Sequence, residues 1–231
     1  TVDNQCDADE SPYHQVGVGT FGIDIEQTTV ERYSECVDAG TCSLPSSSTS
    51  SCNWGKVDKQ DHPINCITWD QAQTVCAWAG KRLCTEAEWE KAARGGCDLY
   101  NGNCSAAMPK YPWGATPVTC NHANYHTGGA GCGTGSTSPV GAKPLGAGPY
   151  GNLDMVGNLW DWVEDCYHSA YTGAPADGSA WTTGCQAGKA IRGGSFWSAA
   201  GSIRSSSRHQ GAVGVGGFDL HVVGVRCCKS L

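Results

Sequence analysis

Apolar residues follow helical spacing in three places along this chain, each framed by a start and a stop signal. Thr28 precedes the stripe Val30, Tyr33 and Val37, with Glu31 three residues after the threonine and Gly40 beyond the last turn. Thr68 with Gln71 opens a second segment, in which Ala72, Val75, Cys76 and Ala79 face one way and Gly80 stops the run. Thr85 with Glu88 opens a third, through Trp89, Ala92 and Ala93 to Gly95. The Thr-x-x-Glu/Gln pattern is a capping box and the glycine a C-terminal stop, so three short packing helices are predicted, none with a catalytic pattern.

Strand signals are scarcer. Residues 1–15 read as a leader anchored by Cys6, after which Val16-Gly17-Val18-Gly19-Thr20-Phe21 reads as an edge strand. In Gly157-Asn158-Leu159-Trp160-Asp161-Trp162-Val163-Glu164-Asp165, alternation puts both indoles on one side and Asp161 on the other. Residues 97–150 are rich in Gly, Pro, Thr and Asn, which predicts long connections pinned by cysteines. The run from Gly211 to Val223 has neither period. It builds no hydrophobic face and suggests a displayed loop on a rigid frame.

Composition narrows the class. The 231 residues suit one domain with a sizeable core, and no segment approaches the ~20 apolar residues of a membrane span. A formal charge of −7 with only 15 scattered Lys and Arg argues against nucleic-acid binding, which needs clustered cations. Fifteen cysteines without paired Cys-x-x-Cys motifs favour a disulfide framework over zinc, hence an oxidising compartment: extracellular, at a cell surface or at a virion surface. The odd count leaves one thiol unpaired or bonded between chains, so the oligomeric state stays open. Local pairs such as Cys97 with Cys104, Cys120 with Cys132 and Cys166 with Cys185 fit the spacing without fixing connectivity. His122 and His126 lie four apart, but no helix signal places them on one face and no acidic residue accompanies them.

Several motifs occur in a fixed order: Trp69-Asp70-Gln71-Ala72; Trp78 to Glu90, containing Gly80-Lys81-Arg82-Leu83-Cys84-Thr85-Glu86-Ala87-Glu88-Trp89; Ala93-Arg94-Gly95-Gly96; Tyr111-Pro112-Trp113-Gly114; Gly157 to Val163; Arg192-Gly193-Gly194-Ser195; and Gly224-Val225-Arg226. Over residues 16–228 the chain resembles the formylglycine-generating-enzyme (sulfatase-modifying factor) family. The resemblance implies an α+β variant of the C-type lectin fold: small antiparallel sheets, few short helices, much irregular structure, here stapled by disulfides. The same scaffold serves enzymes and binders, so the site must decide.

Enzymes of that family use a cysteine pair after Arg-Gly-Gly-Ser to bind copper and activate oxygen. Residues 196–208 contain no cysteine, and serines such as Ser198, Ser202 and Ser205 do not replace the thiolates that Cu(I) needs. Copper is not expected, unless cysteines elsewhere, such as Cys84 or Cys227, serve. The resemblance further implies a structural calcium held by Asp154, the Gly157 and Leu159 carbonyls and Asp161, an oxygen set such an ion prefers; the bland alternative is that Asp161 pairs with an arginine. It also implies a bridge between Cys76 and Cys227.

Gly, Ala, Val, Phe, Asp, Leu, His and Ser, the residues around 211–223, are all reached from an Asn codon by changing its adenines, the substitution rule of diversity-generating retroelements. The variable proteins of those systems resemble this chain in fold, in a hypervariable C-terminal segment starting near Arg-Gly-Gly-Ser, and in ending soon after Gly-x-Arg. On that resemblance residues 191–226 form a variable region. Arg192, Ser195, Arg204, Arg208 and Arg226 hold its frame, and Phe196, Ser198, Ala199, Gly201, Ser202, Ser207, His209, Phe218, Asp219 and His221 present a surface to a protein or glycan ligand. Trp197 is expected to be buried. The leading expectation is a non-enzymatic binding protein, followed by an oxidase of the formylglycine type and by an accessory domain valued for its fold alone.

Overall fold

The computed structural model describes residues 7–46, 49–100, 102, 109–128, 132, 135–211 and 220–231. The three helices are α1 (Val30–Asp38), α2 (Trp69–Trp78) and α3 (Glu86–Arg94). Both capping boxes form in full, Thr68 with Gln71 and Thr85 with Glu88. In α1 the cap is Thr29, whose hydroxyl accepts the Arg32 N–H at 3.1 Å, and not Thr28. The reason lies outside the helix: the Thr28 N–H donates to the Val225 carbonyl and its own carbonyl accepts from Ile64 N, both at 2.8 Å, which ties it to two other segments.

Among the described residues seven short strands make two sheets. In the first, β1 (Phe21–Ile23) and β2 (Arg82–Leu83) flank β7 (Cys227–Ser230), all antiparallel. In the second, the order is β5 (Arg208–Gly211), β4 (Lys189–Arg192), β3 (Trp160–Cys166), β6 (Val223–Val225). Pairing there is antiparallel except between β3 and β6, which run parallel. The strand expected over residues 16–21 begins only at Phe21. Upstream, Gly17 donates a single backbone hydrogen bond to Ala176, too little to make a ladder.

The core is layered on both faces of β3. Trp160 and Trp162 pack with α1 and α2 through Tyr33, Ala72 and Val75. Val163 faces the opposite way, toward Trp89, Ala92 and Ala93 of α3, and so does the Asp161 carboxylate, which accepts the Trp89 indole N–H at 2.9 Å. The alternation of indoles and carboxylate is thus real, but neither side meets solvent.

Six disulfides join Cys36–Cys42, Cys52–Cys66, Cys76–Cys227, Cys84–Cys228, Cys120–Cys132 and Cys166–Cys185. Cys97 is also disulfide-bonded; Cys6 and Cys104 lie outside the described residues. The adjacent pair Cys227 and Cys228 fastens β7 to α2 on one side and to the β2–α3 turn on the other. Cross-links over such long loops restrict the unfolded chain most. So many disulfides mark a protein that matures in an oxidising compartment. No helix among the described residues is long and apolar enough to cross a membrane.

Candidate functional site

The site grows from the end of β4. Arg192 is followed by Gly193 and Gly194 at φ 93° and 78°, a conformation that side chains resist. A Cβ at Gly193 would meet Trp89 at 2.9 Å, and one at Gly194 would sit 2.6 Å from Ile203. The double glycine therefore turns the chain tightly over the core and delivers Ser195, Phe196, Trp197 and Ser198. This tip is fixed by the Phe196 N–H on the Asn158 carbonyl, 2.8 Å, and by the His126 N–H on the Ser198 carbonyl, 2.9 Å.

Four arginines hold the surroundings, each at most 5% exposed. Arg192 binds Glu90 and the Ser206 carbonyl at 2.5 and 2.6 Å. Arg208 grips Glu86 with Nε and Nη2 at 2.7 and 2.8 Å. Arg204 binds Glu10 and Asp7, and Arg226 binds Asp161 together with the carbonyls of Asp24, Ile25 and Leu153. Burial alone would raise the Glu86 carboxyl, but Arg208 and Arg192 outweigh it and hold the group below the ordinary range. The segment read from sequence as a leader packs onto this frame: besides Asp7 and Glu10, the Asp9 carbonyl accepts from Arg208 and its carboxylate from Tyr167. No sequence signal marked Asp7, Asp9 and Glu10 for this work.

Against the frame lies a cleft of about 750 Å³. Six of the ten candidate ligand residues line it: Phe196, Ser198, Ser202, Ser207, His209 and His221. Ala199 and Gly201 are exposed beside it, and Phe218 and Asp219 lie outside the described residues. The lining also includes Asp7, Ser50, Ser51, Ser136 and Trp160, which come from distant parts of the chain and which no local pattern announced.

Trp197 corrects the expectation of burial. Phe196 is 5% exposed and Trp197 62%, because the tight turn sends consecutive side chains to opposite sides. The exposed indole meets the rings of His126 and Phe196, with ring centroids 5.8 and 6.3 Å away. It stands at the mouth of the cleft as a large apolar plane. His122 and His126 face different partners: His122 stacks on Trp113 at 4.8 Å and bonds Thr119.

The donor sets decide which metals fit. For calcium, Asp161 Oδ1 accepts from Gln27 and Oδ2 from both Trp89 and the Arg226 guanidinium, so a fixed cation already neutralises this carboxylate. The Leu159 carbonyl accepts from Gln27 as well. Asp154, whose carboxyl burial pushes upward, accepts from Gly141 N, and Gly157 N donates to Gly193 O. Asp161 and Leu159 are thereby turned to protein donors, which leaves the Asp161 carboxylate paired with an arginine. For copper, no cysteine among the described residues lines the cleft, and Cys84 and Cys227 are both consumed in disulfides.

Lectin-like sheets, capped packing helices and an Arg-Gly-Gly-Ser turn under a cleft define a protein of the formylglycine-generating-enzyme type. The chain belongs to the family described as sulfatase-modifying factor enzyme 1-like domain, which matches over residues 1–231. It is 36% identical to the formylglycine-generating enzyme of Thermomonospora curvata, over 52% of this chain and 39% of that one. Among solved structures, PvdO from Pseudomonas aeruginosa superposes with a TM-score of 0.79 at 30% identity, covering 100% of this chain and 89% of the other. Treponema denticola variable protein 1 shares the fold at 18% identity, TM-score 0.64, covering 94% and 86%. The chain spans between 22 and 39% of the length of the curated relatives it matches.

Proposed function

We propose that this domain is a non-enzymatic binding module, a variable protein of the diversity-generating type, whose C-terminal cleft takes a protein or glycan ligand at an extracellular surface. The observation that carries the reading is the make-up of the cleft. It combines an exposed tryptophan, a buried phenylalanine, two histidines and a set of serines with no thiol. An aromatic anchor ringed by short hydroxyl side chains is the composition of adaptable binding surfaces. The arginine frame behind it is buried and ion-paired, which leaves the exposed residues in front, Trp197, Ala199, Gly201, Ser202 and His209, free to change without disturbing the core.

Likeness to formylglycine-generating enzymes favours a second reading, an oxidase. Anaerobic titration with Cu(I) against a competing chelator, followed by oxygen uptake with a Cys-containing peptide, separates the two. The binding reading expects no stoichiometric Cu(I) uptake and no peptide-dependent oxygen consumption; turnover would sink it. Sequencing sibling genes tests the variable character: they should differ between residues 196 and 223 and agree elsewhere.

A further inference from the structure

A second cavity, of about 370 Å³, lies behind the cleft. The Arg208–Glu86 pair is the partition, since Arg208 lines the cleft and Glu86 the cavity. The volume is that of a small-molecule site. Its roof is the N-terminal segment over residues 10–18, held down by the Tyr171 N–H on the Ser11 carbonyl at 2.8 Å and by Gly17 on Ala176. Its walls come from α3 and from residues 165–181.

The chemistry of the lining is one-sided. Glu10, Glu86, Glu90, Asp98 and Asp165 border the cavity against only Lys91 and Arg94. Arg204, Arg208 and Arg192, which pair with the first three, are not in the lining and approach from behind; Arg94 is the one guanidinium of the lining, and it pairs with Glu90 at 2.8 Å. Asp165 has no ion pair among the described residues. Its oxygens accept the Glu86 and Trp181 N–H groups, each at 2.7 Å. Aromatic rings complete the walls: His14 and Tyr171 lie 5.0 Å apart, and Trp181, stacked on His168 with ring centroids 3.4 Å apart, also lines the cavity.

We propose that this cavity is a binding site for a small aromatic amine, its ring against Tyr171, His14 and Trp181 and its ammonium against the carboxylate wall of Glu86, Glu90 and Asp165. A cation there gains from ring faces and carboxylates together. The state of Asp165 is consistent with a missing positive charge: burial, and then Glu86, carry its carboxyl up to about 7.

The test uses 2-phenylethylamine and its anionic counterpart phenylacetate, titrated into the full chain by calorimetry and ligand-observed NMR. The amine should bind saturably and phenylacetate at least tenfold more weakly. Ala87→Leu, which fills the lining from α3, should abolish amine binding with the thermal midpoint retained. Trp197→Ala in the cleft should leave it unchanged, which separates this site from the one proposed above. Should Ala87→Leu not fold, Asp98→Asn at the cavity rim should weaken the amine several-fold. Absence of saturable amine binding, equal binding of phenylacetate, or indifference to both lining substitutions would overturn the proposal.

Discussion

Replacing Asp161 with asparagine tests what organises the centre of the molecule. The side chain is 1% exposed and accepts from Gln27 at 2.8 Å, Trp89 at 2.9 Å and Arg226 at 3.1 Å. Asparagine keeps the shape but removes the charge opposite a fully buried guanidinium, a change that costs about 3–5 kcal/mol. Arg226 retains three carbonyl acceptors, which points to the lower end. The new amide group must then turn its N–H₂ toward either Gln27 or the Trp89 and Arg226 donors, adding about 1 kcal/mol for an unsatisfied bond. The sum, about 4 kcal/mol, corresponds to a fall of about 8–16 °C in Tm for a chain of this size. Scanning calorimetry should show the same fall with calcium in excess and with chelator. A fall under about 3 °C, or a wild-type midpoint that drops to the variant's on chelation, would refute the assignment of Asp161 to the arginine.

Gly211→Ala drives a methyl into the Trp162 ring and to 2.9 Å from Ile191 Cγ2, so overpacking should destabilise by about 1–3 kcal/mol, read as a lower urea midpoint. Asp165 gives a pH signature. Its folded carboxyl titrates near 7 against an ordinary value of 3.8, so the folded state holds the proton more tightly and ionisation erodes stability as pH rises from about 4 to about 7. Glu86, held low by Arg208 and Arg192, acts with the opposite sign, its contribution being lost as pH falls through its folded value. Asp165→Asn should remove the erosion alone. The wild-type advantage over the variant should shrink across that window by up to about 4 kcal/mol; a pH-independent difference contradicts the carboxyl's placement. Cys76→Ser should lower stability by about 2–5 kcal/mol, and a thiol assay of the denatured variant should find one more free cysteine than in the wild type.

Local grammar was legible wherever local chemistry decides. Thr68 and Thr85 cap their helices because the partner residue lies three positions on, and the family motifs announced the lectin-like scaffold. Thr28 misled because its backbone serves Val225 and Ile64, partners invisible along the chain. The cleft was half legible: serines and histidines near Arg-Gly-Gly-Ser could be named, whereas Ser50, Ser51 and Asp7 arrive only through the fold. Trp197 defeated an expectation built on residue type, since the double-glycine turn, not hydrophobicity, sets which way it points. The cavity behind the cleft left no trace in the sequence, because charge pairing from behind cannot be read from spacing.

The clamps around the C-terminal segment bear on how this protein can evolve. Gly211 is paired with Lys189 at one post and Val223 with Trp160 at the other, and Cys227 and Cys228 anchor the chain just beyond. For a segment tied at both ends, the entropy of closure changes slowly with length, about 0.6 kcal/mol for a doubling. Insertions, deletions and replacement between Gly211 and Leu220 should be tolerated while the strands keep their register, whereas Leu220 and Val222 pack against the core. A population of such chains could explore new surfaces in that interval with each member still folding, robustness at the posts being what makes novelty between them survivable.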